Sequence, residues 1–398
     1  MTPWLHIIGI GADGMGSLAP AARAALATAE VIVGGERHHT LTDGVAGERI
    51  AWPSPFDALI DRLRGLSGRR VAVLATGDPL WFSVGAKIAN AFTPGEFVVH
   101  PQLSAFQLAA ARMGWSLADC ETLTAHGRPP EQVIPYITPG ARLLILTTGS
   151  ATPGQIAGFL AARGYGPSRL TVLANMGAAD ELRIEGDAEN WTENVPDFNT
   201  LAVEVRPGHA PVLHARTPGL PDSAFASDGT MTKREVRAVS LARLMPMRGA
   251  LLWDIGCGAG SVAIEWMRAA RDARAIGIEP RADRRAFAAA NAATLGTPGL
   301  TLVEGSAPDA LAGLPDPDAV FLGGGITAET FETVWNALKP QGRLVANSVT
   351  LESEAVLLDL HARHGGELAR ISVSRAEPVG PRMGWRPMMA VTQWSLVK

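Results

Sequence analysis

The stretch Leu251-Leu-Trp-Asp-Ile-Gly-Cys-Gly-Ala-Gly-Ser-Val-Ala-Ile-Glu265 constrains the fold more than any other part of the chain. Five mostly apolar residues read as a buried strand, three alternating glycines as a tight turn, and the remainder as the start of a helix. A nucleotide-type ligand approaches the backbone closely at such a turn, and glycine removes the side chain that would block it. The spacing is Gly-x-Gly-x-Gly at 256, 258 and 260; the dinucleotide fingerprint needs its third glycine at 261, where Ser261 stands.

The same rhythm runs through the rest. Short β-rich runs alternate with Ala-rich helical stretches, the pattern of parallel α/β sheets. In the first half the runs are 5–8, 31–33, 71–75, 97–99, 143–147, 170–173 and 201–205; in the second they are 251–254, 275–278, 300–303, 319–322, 343–346, 369–374 and 388–394. A chain of 398 residues exceeds what one hydrophobic core usually organises. The expected joint is Arg216-Thr-Pro-Gly-Leu-Pro-Asp-Ser-Ala-Phe-Ala-Ser-Asp-Gly229, where apolar periodicity lapses. The expected division is a first domain of residues 1–215, itself two lobes of about 1–115 and 116–215, a linker of 216–228, and a second domain of 229–398.

Composition excludes several function classes. Only 19% of residues are charged, yet no uninterrupted apolar run reaches the roughly 18 residues of a membrane span. Trp4 to Ile8 reads directly as a strand, without the basic flank, apolar stretch and cleavage site of a secretory signal, so a cytoplasmic location is expected. Cys120 and Cys257 offer neither a disulfide framework nor metal-ligand spacing, and no metal is expected. The formal charge is −4, and Lys and Arg cluster only in pairs such as Arg69-Arg70 and Arg284-Arg285. That is not a polyanion-binding surface, and no nucleic-acid partner is expected.

After the Gly-rich turn, Gly277-Ile-Glu279 places an acidic residue at the next strand end, suited to accept hydrogen bonds from both ribose hydroxyls. Glu304-Gly-Ser-Ala-Pro308 follows the third strand and Asp318-Ala-Val-Phe-Leu-Gly-Gly-Gly325 forms the fourth. In this order the motifs resemble the seven-stranded S-adenosylmethionine (SAM)-dependent methyltransferases of Rossmann-like fold. The resemblance implies SAM as cofactor, with contacts at Thr232, Gly256, Cys257, Gly258, Ala259, Gly260, Glu279 and Ala307.

In the first half, Gly9-Ile-Gly-Ala-Asp-Gly14 matches the dinucleotide fingerprint formally, with Glu36 downstream, and an NAD site is one reading. Ala75-Thr-Gly-Asp-Pro79, His100-Pro-Gln-Leu-Ser104 and Ala174-Asn-Met-Gly177 resemble instead the two-lobed tetrapyrrole methylases. There the first Gly-rich loop, with Gly9 and Gly11, faces the substrate. This resemblance implies SAM contacts at Gly77, Asp78, Ser104, Ala105 and Met176; Asp78 as a helix N-cap is the alternative. The loop departs from many relatives in having Ala12 where they carry proline.

Gly34-Gly-Glu-Arg-His-His39 and Ala125-His-Gly-Arg-Pro129 resemble the carbon-5 methylases of cobalamin biosynthesis. The two halves joined, the second opening on Asp228-Gly-Thr-Met-Thr-Lys233, resemble over the whole chain the precorrin-6Y C(5,15)-methyltransferase (decarboxylating) family. What the resemblance implies is methylation of carbon 5 in the first half, and in the second methylation of carbon 15 with decarboxylation of the ring C acetate. Relatives of both halves self-associate, which implies a homo-oligomer.

Methyl transfer to a ring carbon is an in-line displacement that needs alignment rather than a nucleophilic side chain. The polycarboxylate substrate needs cations and N–H donors. The residues expected to position it are Arg37, His38, His126 and Arg128, with Lys233, Arg375, Arg382 and Arg386; each has a solvent-exposed surface role as its alternative. Asn347 and Glu352 follow the fifth strand of the second half and are candidates for the decarboxylation site, with helix capping the alternative for the nearby Ser348 and Thr350. An RNA or protein acceptor, and a non-catalytic role as a SAM- or tetrapyrrole-binding regulator, remain alternative functions.

Overall fold

The computed structural model describes residues 3–398. Its chain divides into two compact units, one of residues 3–130 and 139–212 and the other of 131–138 and 213–398.

The first unit holds two five-stranded sheets. β1 (Leu5–Ile10), β2 (Val31–Gly34), β3 (Glu48–Ala51), β4 (Val71–Thr76) and β5 (Phe97–His100) run parallel in the order β3-β2-β4-β1-β5. Both faces are covered, so alternate residues pack opposite ways. Leu5, Ile7, Val71 and Val73 meet Leu59, Leu63 and Ile88 on one side. Ile8, Ile10, Ala72 and Leu74 meet Ala22 and Leu26 on the other.

The second sheet contains β6 (Glu121–Thr124), β7 (Arg142–Leu146), β8 (Arg169–Ala174), β9 (Leu182–Asp187) and β10 (Asn199–Glu204), in the order β6-β7-β10-β8-β9. Here the expected parallel pattern fails: only β6 and β7 are parallel, and every other pairing is antiparallel. β8 and β9 are joined by a short turn, which permits only antiparallel neighbours.

The second unit is one seven-stranded sheet. β11 (Leu251–Ile255), β12 (Arg274–Glu279), β13 (Thr301–Glu304), β14 (Ala319–Leu322), β15 (Arg343–Ser348), β16 (Glu367–Ile371) and β19 (Val391–Val397) lie in the order β13-β12-β11-β14-β15-β19-β16, with β19 antiparallel to both neighbours. β17 (Ser374–Val379) and β18 (Arg382–Pro387) form a separate hairpin. Trp253, Ile255, Val320 and Leu344 pack on Phe331, Val334 and Leu357; Leu252, Phe321 and Val345 pack on Leu241, Val262 and Trp266.

The segment expected as a linker is part of the second unit. Leu220 and Phe225 are buried with Ile264, Ala292 and Leu295. The buried Glu265 carboxylate accepts from Gly219 N (2.7 Å) and Leu220 N (2.9 Å) and pairs with the fully buried Arg237 guanidinium (2.7 Å). Arg237 also donates to Thr232 O (2.7 Å) and Leu220 O (2.5 Å). Residues 131–138 join this unit too, with the Arg216 guanidinium 4.7 Å from the Tyr136 ring centre.

Candidate active sites

The strand order changes direction beside β11, and open α/β sheets bind ligands in the crevice at such a point. A cavity of about 740 Å³ lies there, lined by the ends of β11, β12, β14 and β15 and by residues 229–233. Gly256 and Gly258 line it at φ +72° and +53°. A Cβ added at either meets nothing nearer than 3.9 and 3.8 Å, respectively, so the protein leaves free the volume a ligand takes. Gly260 differs. It has φ +75°, but its added Cβ lies 3.1 Å from Ala288 Cβ, so this glycine serves helix packing. Gly260 and the buried Ala259 lie outside the lining.

Glu279 ends β12 on the lining, and its carboxylate accepts from Gly258 N (3.0 Å) and Arg281 N (3.1 Å). Each oxygen keeps a second lone pair for a ligand hydroxyl. Asp254, which sequence reasoning passed over, is fully buried on the same wall and accepts from Ala263 N (3.0 Å). Burial, with the nearby Glu279 charge, pushes its carboxyl up to about 7. Burial likewise drives the Cys257 thiol upward, so it lines the cavity as an un-ionised group. Thr232, Lys233 and Ala307 also line it. Lys233 Nζ donates to Gly229 O (3.0 Å) and makes no ion pair among the described residues, leaving its charge for an anionic ligand.

In the first unit a cavity of about 700 Å³ is lined by residues of both sheets, including Gly11, His38, Thr76, Gly77, Asp78, Ser104, Ala105, His126 and Met176. Gly77, at φ +62°, carries the turn after β4. Asp78 is not a helix cap: its Oδ1 accepts from Leu80 N (2.7 Å), closing a local turn. Ser104 is the N-cap of helix Ala105–Met113, its Oγ accepting from Gln107 N (3.4 Å). Two non-glycine residues on the lining, Phe82 and Asn175, have positive φ of 52° and 51°, a strained conformation that clusters at functional sites.

Gly9 is set by packing, because its added Cβ would fall 2.3 Å from Gly77 O, and it is absent from the lining. The Arg37 guanidinium stands 3.6 Å from the Phe198 ring centre at the rim, where burial lowers its pKa. The Arg37 guanidinium makes no hydrogen bond or ion pair among the described residues. Arg128 is exposed, 5.8 Å from the Phe82 ring centre. The hexapeptide 9–14 is followed by one 3-10 turn, Gly14–Ser17, and not by the helix whose N-terminus a dinucleotide pyrophosphate requires.

Residues 4–191 match the family described as Tetrapyrrole (Corrin/Porphyrin) Methylases, and residues 223–398 match the Precorrin methyltransferase domain. A precorrin-6Y C(5,15)-methyltransferase [decarboxylating] from a Sinorhizobium species is 45% identical over 401 aligned residues, covering 100% of this chain and 97% of the relative. The chain belongs to the precorrin-6Y C(5,15)-methyltransferase (decarboxylating) family. Two shorter relatives divide between its halves. A cobalt-precorrin-7 C(5)-methyltransferase of Salmonella typhimurium is 29% identical over 189 residues, 47% of this chain and 89% of its own length. A probable cobalt-precorrin-6B C(15)-methyltransferase (decarboxylating) of Pyrobaculum calidifontis is 36% identical over 172 residues, 41% of this chain and 88% of its own.

In this precorrin-6Y C(5,15)-methyltransferase family member, several residues expected to meet substrate are committed elsewhere. Arg375 pairs with Asp222 (2.8 Å) and Glu235 (2.7 Å). Arg386 pairs with Glu377 (2.9 Å), and Arg382 is exposed on the β17–β18 hairpin; neither lines the cavity. Glu352 is exposed in the first turn of helix Leu351–His364, away from the lining. Thr350 is that helix's N-cap, its Oγ1 accepting from Ser353 N (3.3 Å). Asn347 does line the cavity, but its amide is held in a buried network, donating to Ser240 Oγ (3.0 Å) and accepting from Gln393 Nε2 (2.9 Å).

His38 carries a pH signature. Its Nδ1 accepts from Gly35 N (3.1 Å), and burial with the neighbouring Arg37 charge lowers its pKa from 6.5 to about 4. Well above pH 6.5 the ring is neutral in folded and unfolded chains alike. As pH falls toward 4 the unfolded chain takes up a proton that the folded chain refuses, so stability is lost. The expected loss from this group between pH 7 and 4.5 is about 2 kcal/mol. Urea unfolding of the first unit should show it, and His38→Asn should flatten the pH dependence by that amount; an unchanged slope contradicts the assignment.

Proposed function

We propose that the chain methylates carbons 5 and 15 of precorrin-6Y and releases the ring C acetate carboxylate as carbon dioxide, the first unit acting at carbon 5 and the second performing the other two steps. The observation that carries the reading is the second unit's cradle, where two positive-φ glycines face open volume below a strand-end carboxylate. Each unit's own cavity and the two half-length relatives support the division of labour. SAM, when bound, supplies an electrophilic methyl group on a sulfonium centre.

In the second unit, Gly256 and Gly258 admit the donor to the backbone, and Glu279 accepts from its ribose hydroxyls. Thr232, Cys257 and Ala307 complete that wall. Lys233 pairs with a substrate carboxylate. Met388, Met389 and Val349 on the lining exclude water from the departing carboxylate while the macrocycle takes up the electron pair. In the first unit, Gly77, Asp78, Ser104, Ala105 and Met176 shape the donor site, with Gly11 toward the substrate. Arg37, His126 and Arg128 meet substrate carboxylates. Alignment in these cavities lowers the barrier without a covalent intermediate.

We place the enzyme in the cytoplasm and infer a homo-oligomer. Exposed Met383 and Trp385, on one face of the β17–β18 hairpin, form an apolar surface that supports self-association; sedimentation velocity tests it, a single-chain mass overturning it. The activity is tested by mass spectrometry of precorrin-6Y incubated with the chain and methyl-labelled SAM. Two labelled methyl groups gained and one carbon dioxide lost are expected; an unchanged mass with tetrapyrrole bound overturns the proposal.

A further inference from the structure

The first-unit cavity contains a hydroxyl whose orientation is set from behind by a buried histidine. Gly35 N–H donates to His38 Nδ1 (3.1 Å), and His38 Nε2 lies 2.9 Å from Thr76 Oγ1. A nitrogen that accepts carries no proton, so the neutral ring has its hydrogen on Nε2. His38 therefore donates to Thr76, and the hydroxyl must send its own hydrogen elsewhere. Trp52, edge-on to the imidazole at a centroid distance of 6.0 Å, holds the ring in place.

No acceptor for that hydrogen exists among the described residues, and Thr76, at the end of β4, is exposed on the cavity lining. The contrast with two other threonines that line the cavity is direct. Thr147 Oγ1 donates to Asn199 (2.8 Å to its backbone oxygen), and Thr148 Oγ1 donates to Ala125 O (2.6 Å). Their hydrogens are taken within the protein, and that of Thr76 is not. A ring held neutral by burial keeps this arrangement throughout the neutral pH range.

We propose that Thr76 donates a hydrogen bond to a carboxylate of the ligand bound in the first-unit cavity, with His38 as the positioning residue that turns the hydroxyl toward it. The proposal rests on the methyltransferase reading of that cavity. A carboxylate is the acceptor class common to both expected ligands, on the methionine end of SAM and on the acetate and propionate arms of the tetrapyrrole. A charged acceptor makes the stronger bond.

The test uses the full chain carrying Thr76→Val, which keeps the side-chain shape and removes the hydroxyl, with Thr76→Ser as the restoring variant. S-adenosylhomocysteine affinity of the first unit is measured by calorimetry, and KM for precorrin-6Y by carbon-5 methylation. Thr76→Val should weaken one of them about tenfold, and Thr76→Ser should recover most of it. A loss confined to S-adenosylhomocysteine assigns the cofactor carboxylate; a loss confined to KM assigns a macrocycle arm. In the Thr76→Val background, His38→Leu should add nothing further to the loss, whereas a merely structural histidine would add its own effect. Wild-type affinity and KM in Thr76→Val, or failure of serine to restore them, overturns the proposal. A wild-type chain that binds both ligands but methylates nothing overturns the methyltransferase reading instead.

Discussion

Gly258→Val lowers SAM affinity of the second unit by about a hundredfold or more and leaves the first unit's site intact. Calorimetric titration with S-adenosylhomocysteine should therefore show one of two binding events lost. The backbone contribution is modest: an L side chain at φ +53° costs about 1–2 kcal/mol. The added Cβ meets no protein atom nearer than 3.8 Å, so the side chain grows into the volume left open for the ligand. A hundredfold loss corresponds to about 2.7 kcal/mol. Gly260→Ala provides the contrast, since its Cβ presses on Ala288 at 3.1 Å and should reduce stability before affinity. Two undiminished binding events in Gly258→Val sink the cradle assignment.

Arg237→Met destabilises the second unit by about 3–5 kcal/mol, because it leaves Glu265 charged and buried without its partner. The guanidinium is fully buried and bonds Glu265, Thr232 O and Leu220 O at once. It thereby ties the 213–233 arm, which carries Thr232 and Lys233 to the cavity, onto the sheet unit. Chemical denaturation of the full chain should place the loss in the second unit's transition. The double variant Arg237→Met, Glu265→Gln should recover a large part of it, since the uncompensated charge is gone. Equal stability of the single and double variants would show that the arm's packing, rather than the ion pair, dominates.

Strands buried on both faces were legible in the sequence: β1, β4, β11 and β14 are near-continuous apolar runs. β3, β6 and β9 were missed, because each lies at a sheet edge and carries polar, partly exposed residues with little apolar signal. The β17–β18 hairpin was missed because charged Arg375, Glu377, Arg382 and Arg386 interrupt its apolar residues and leave no continuous run. Residues 216–228 were misjudged because proline and glycine mark any irregular backbone, whether a solvated linker or an arm pinned down by Glu265.

The candidate sites divide along the same line. Gly256, Gly258 and Glu279 could be found from spacing alone, because one strand, its turn and the next strand's end place all three. Asp254 and Thr76 gave no such signal: their importance lies in desolvation and in a bond from His38, 38 positions away in the chain. Arg375 and Arg386 carry the right charge for a polycarboxylate site, yet both are taken by ion pairs, and Glu352, a candidate for the decarboxylation site, faces solvent. Local spacing therefore determined the α/β class and the glycine cradle, since backbone conformation depends on near neighbours. Which cations stay unpaired, which carboxyls lose water and which hydroxyl points inward were decided only by the tertiary structure, because charge pairing and desolvation depend on groups far apart in the chain.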